Sequence, residues 1–80
     1  MVEEKYNWLV KYHEDQILRA EESIRFLKDA ISTLSRIRES YPNNIEIVES
    51  CREIMFNCVK EIKKDGNEIE TSRVALTRLT

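Results

Sequence analysis

His13, Cys51 and Cys58 are the residues whose side chains could do chemistry by type, and their spacing argues against each obvious use. A histidine acting as a general base needs a nucleophile or an orienting carboxylate within hydrogen-bond reach, but Glu14 and Asp15 beside it point to other faces of a helix. Two cysteines seven residues apart on one helix lie roughly 10 Å apart along the axis, too far to join as a disulfide. Zinc knuckles need ligands two to four residues apart or converging from a second element, and the pairing derived below sets His13 at the far end from both thiols. No metal, cofactor or catalytic constellation is expected, and both cysteines read as small, reduced core residues.

Asp65 is the other polar residue at a position where an apolar one belongs. It faces Ala20 in the pairing below, with Arg19 and Lys64 in reach, and a polar residue there can fix register or oligomeric state at some cost in stability.

The elements that must position these residues follow from periodicity. From Tyr6 the sequence keeps an alternating three-four spacing: Tyr6, Val10, His13, Ile17, Ala20, Ile24, Leu27, Ile31, Leu34. The same spacing returns in Val48, Cys51, Met55, Cys58, Ile62, Asp65, Ile69, Ser72, Leu76 and Leu79. Each series is the apolar stripe of a long amphipathic helix. Between them stands Ser40-Tyr41-Pro42-Asn43-Asn44. Pro42 lacks an N–H and pushes Tyr41 out of the helical region, which ends the first helix; Asn43 is expected to cap the second, with Glu46 completing a capping box.

The resulting organisation is one all-α domain over residues 1–80: a helix from about 3 to 39, a turn at 40–44 and a helix from about 44 to 79. Glu3 and Glu4 at the start, and Arg36 and Arg38 at the end, give the first helix charges of the right sign for its dipole. The second stripe passes Gly66 without changing phase, so the helix is expected to continue through it. Lys64-Asp65-Gly66-Asn67 supplies the alternative, an interruption near 65–67 and a monomeric three-helix bundle.

Folding the chain at the turn pairs stripe residues whose numbers sum to 85 or 86. Leu34 then meets Cys51, Leu27 meets Cys58, Ile24 meets Ile62, Ala20 meets Asp65 and His13 meets Ser72, so apolar layers meet apolar layers and polar ones coincide. An antiparallel helical hairpin is the expected fold. Near the turn the apolar residues spread wider than one seam: Ala30 and Ile37 flank the first stripe, and Ile47, Ile54 and Val59 the second. A small chain with such a face is expected to pair with a second copy as a four-helix bundle through these five residues.

The surface bounds function less tightly. Charged residues make up 35% of the chain and the net charge is −2. Residues 1–40 carry 7 basic and 8 acidic side chains and residues 41–80 carry 6 and 7, so neither half is a basic block suited to nucleic acid. Arg36, Arg38, Lys60, Lys63 and Lys64 are the basic groupings available to a nucleic-acid-associated regulator, the alternative reading, but acids such as Glu39, Glu61 and Asp65 interleave them. No apolar run approaches the ~20 residues of a membrane span, and no secretory leader is visible, so a soluble cytoplasmic protein with no membrane partner is expected.

Trp8, Tyr12, Phe26 and Phe56 lie off the stripes, and Trp and Tyr dominate interface hot spots, so these four are candidate contacts for a protein partner. The functional expectation is a non-enzymatic, homodimeric interaction module acting as adaptor, regulator or inhibitor. A short chain opening at Met1 with no chemistry of its own suits an accessory protein of a virus or mobile element.

Overall fold

The computed structural model describes the backbone of residues 4–79 and the side-chain surroundings of residues 6–79; the expected helix start near residue 3 lies outside the described residues. Two helices make up the fold, α1 (Glu4–Ser40) and α2 (Ile45–Leu79). They run antiparallel as a hairpin measuring 63 × 14 × 13 Å, with a radius of gyration of 18.1 Å, where a compact chain of this length would have about 12 Å.

Proline sets the turn as expected, but the cap stands one residue later than Asn43. The Asn44 N–H donates to the Tyr41 carbonyl at 3.2 Å, which closes a four-residue turn with Pro42 in its second place. No described residue has a positive φ, so Asn43 occupies the third place of a type I turn and is used up in turning the chain. Asn44 caps instead: its Oδ1 accepts from the Ile47 N–H at 3.2 Å, and its carbonyl accepts from the Val48 N–H at 3.0 Å. Glu46 is therefore the second helical residue and not the third, so the capping box with Asn43 does not form, although its charge still suits the helix start. At the other side of the turn the Ser40 hydroxyl donates back to the Arg36 carbonyl at 2.9 Å.

Helix α2 is uninterrupted across Gly66, and the alternative third helix does not form. Phase explains it. A break would have to detach Ile69, Ser72, Leu76 and Leu79 from the stripe that Cys58 and Ile62 begin, and all of them already face α1. Every expected stripe residue of the described chain is buried or half-buried except Tyr6, at the open end.

The enclosed positions are small. Ala20 on α1 and Cys51, Cys58, Asp65, Ile69 and Ser72 on α2 are buried, while the larger Ile and Leu residues of α1 keep an edge in water. Short side chains let two helix axes approach closely, and the long ones of α1 then lie against the flanks of α2. No large side chain is fully enclosed among the described residues, which is what a two-helix structure permits.

Two substitutions test this account of the helix ends and middle. A Cβ built on Gly66 meets nothing within 4 Å, so Gly66→Ala should raise stability by about 0.5–1 kcal/mol, read as a higher urea midpoint. An unchanged or lower midpoint would show that the helix is not regular there. Asn44→Ala should cost about 1 kcal/mol and Asn43→Ala much less; the reverse order would return the cap to Asn43.

Candidate functional site

Two polar layers interrupt the seam on the half nearer the chain ends. In the first, the Ser23 hydroxyl of α1 donates to Oδ2 of Asp65 on α2 at 2.6 Å, a short, charge-assisted contact. Asp65 is only 7% exposed, and Ala20 beside it is a methyl stub that leaves the carboxyl group room to turn toward Ser23. The expectation that Asp65 faces Ala20 located the layer, but the partner it finds there is Ser23, not Arg19 or Lys64. Seven residues beyond Asp65 on α2 and seven before Ala20 on α1, His13 Nδ1 lies 3.4 Å from Ser72 Oγ, the pairing the stripe arithmetic gives. Among the described residues no buried side-chain polar atom lacks a partner.

A histidine–serine contact is half of a nucleophile pair, and the rest of the chemistry is missing at this place. Ser72 is buried in the middle of a helix, where backbone N–H groups are committed to the carbonyls four residues back and cannot stabilise an oxyanion. A shallow groove opens beside the layer, walled by Tyr12 and Gln16 of α1 and by Lys64, Glu68 and Thr71 of α2. Cys51 and Cys58 are free and buried, and no group of three His, Cys, Asp or Glu side chains among the described residues could hold a metal ion. No described helix is long and apolar enough to cross a membrane.

The aromatic candidates separate into three places. Trp8 and Tyr12 stack on α1 with ring centroids 5.8 Å apart and planes 17° from parallel, and Tyr12 sets an edge against the His13 ring at 5.3 Å. Phe26 lies fourteen residues along the same helix, roughly 21 Å away at ~1.5 Å per residue, and is 71% exposed. Phe56 is on the back of α2 under the Lys60 ammonium, 4.9 Å from its ring centroid, a cation–π contact at the surface.

The five apolar candidates near the turn also divide. Phe26, Ala30, Thr33 and Leu34 of α1 and Ile54 of α2 line one shallow groove, with Asp29 at its edge. Ile37 and Ile47 continue the same stripes toward the turn, being one heptad from Ala30 and Ile54. Val59 does not join them. Five residues beyond Ile54 means 500° of helical rotation, or 140° around α2, which sets Val59 on the opposite flank. The basic candidates do not meet either: Arg36 and Arg38 are on the last turns of α1, and Lys60, Lys63 and Lys64 are roughly 15–25 Å away along the rod.

No protein-family model, curated protein or solved structure matches this chain.

Ser23 is the site residue that the stripe arithmetic misses, and its substitution tests the layer. Ser23→Ala should cost about 1–3 kcal/mol, because it leaves a buried carboxyl group without its donor. Removing both partners in Ser23→Ala/Asp65→Ala should cost less than Ser23→Ala alone. If the double variant in a urea titration is instead the less stable of the two, the hydrogen bond is not what holds Asp65 in the seam.

Proposed function

We propose that this chain is a non-enzymatic protein–protein interaction module whose working form is a pair of hairpins packed as a four-helix bundle. The observation that carries this reading is the amount of surface left uncovered. A compact folded chain of 9.5 kDa exposes about 5,000 Å², whereas this chain exposes 6,551 Å². The surplus, about 1,500 Å², is more than one partner contributes to a standard interface, about 800 Å².

That surplus is apolar where it matters. Phe26, Ile37 and Ile54 are exposed on one flank of the half of the rod next to the turn, and Trp8 and Tyr12 at the other end. Contiguous exposed apolar surface on a small chain marks an interaction site. Two hairpins packed face to face cover the turn-proximal half and leave the Trp8–Tyr12 stack at the ends of the bundle, available to a protein target, as an adaptor or regulator requires.

The reading is tested by sedimentation equilibrium between about 1 and 100 µM. The expected mass rises with concentration toward twice 9.5 kDa. A single species of 9.5 kDa across the whole range would overturn self-association and with it the bundle.

A further inference from the structure

The two flanks of the hairpin seam differ in a way that assigns the interface to one of them. On α1 the stripe beside the seam reads Phe26, Ala30, Thr33, Ile37 and Ser40, in steps of four and three residues. Ile54 shares a groove with the first of these, which puts its own stripe, Ile47, Ser50, Ile54 and Asn57, on the same side. None of these nine positions is charged, in a chain of which 35% is charged. Over the same span the other flank carries Lys28 and Glu39 on α1 and Glu49 and Arg52 on α2.

We propose that a second copy of this chain docks on the uncharged flank, centred on the Phe26–Ala30–Ile54 groove, and that the flank bearing Val59 stays in water. This rests on the self-association reading above and adds the face to it. The patch runs about 24 Å from Phe26 to the turn and is about 20 Å across two helices, so it offers roughly 500 Å² per copy. Two copies bury about 1,000 Å², the lower end of specific interfaces, and so a dimer that dissociates on dilution.

The rims fit a copy of the same chain. Asp29 and Arg36 stand seven residues apart on the outer edge of α1, and Glu53 and Lys60 seven apart on that of α2. A two-fold axis crossing the rods midway between the members of one pair would set each acid of that rim beside the partner's base. The two midpoints lie on opposite sides of the Ala30–Ile54 level, about 5 Å apart along the rod, so a single axis between them leaves each acid about 5 Å along the rod from the partner's base, a gap the long Arg36 and Lys60 side chains span.

Phe26→Lys, Ile54→Lys and Val59→Lys, made singly in the full chain, separate the two flanks. All three residues are exposed, at 71%, 48% and 53%, so each variant should keep the helical circular dichroism of the parent. Sedimentation equilibrium at 100 µM should find Phe26→Lys and Ile54→Lys as monomers, with dissociation at least tenfold easier than in the parent, and Val59→Lys as a dimer. A parent that dimerises while Val59→Lys alone dissociates, or while all three variants remain dimers, would overturn the assigned face and leave self-association standing. A parent that is monomeric throughout would remove both. Should Ile54→Lys lose helicity, Phe26→Lys decides alone, since its ring is mostly in water.

Discussion

The hairpin depends on how closely its two helices can approach, and that is set by short side chains at every seventh place of α2. Cys51, Cys58, Asp65 and Ser72 are four of the five enclosed residues of α2, Ile69 being the fifth, and none of the four is longer than a carboxyl group. The aliphatic residues of α1, from Ile17 to Leu34, then lean over them with one edge in water. Close approach maximises dispersion contacts along the seam but limits how much apolar area each residue removes from water. A structure built this way has a narrow core and two open flanks. What happens on the flanks therefore matters more than in a compact domain.

The same narrowness makes the polar layers work as markers of alignment. Moving α2 along α1 by one seam place toward the start of α1 would leave Asp65 facing Ile17 and carry it away from its Ser23 donor. Because the His13–Ser72 layer is one heptad away, the same slip separates that pair too. A buried polar group without a partner is penalised by its full desolvation, so slipped alignments lose twice. The short turn closed by Asn44 and Tyr41 excludes the same slips from the other end of the rod.

Much of this was legible because a three-four spacing converts directly into which residues share a stripe, and a single proline fixed where the chain doubles back. Stripe arithmetic gave the His13–Ser72 contact and carried α2 through Gly66. It missed the Ser23–Asp65 bond, which runs diagonally between a stripe residue and a flank residue whose numbers sum to 88, outside the series being paired. The cap moved from Asn43 to Asn44 because two adjacent asparagines offer equal side chains, and only the turn type decides which is left free. Val59 was grouped with Ile47 and Ile54 because a list of residues beside a stripe does not distinguish left from right. The groove joining Phe26 to Ile54 does.

The rod is divided in composition. Its turn-proximal half has an apolar seam and an uncharged flank; its other half has the polar layers, the groove beside His13, and the exposed Trp8–Tyr12 stack. Gly66 lies in the second half with open space around it, so no packing requirement explains a residue that weakens a helix there. Under the proposed pairing, a second copy on the turn-proximal flank would stabilise the folded chain by mass action, since it would bind the hairpin and not the unfolded chain. Stability would then be concentrated where the proposed copies meet, and the far half, held by two polar layers and a thin seam, would be the part whose shape self-association constrains least. On that proposal, a surface for a different protein would sit best on the far half, because residues there could change to suit a target without disturbing the contact between copies.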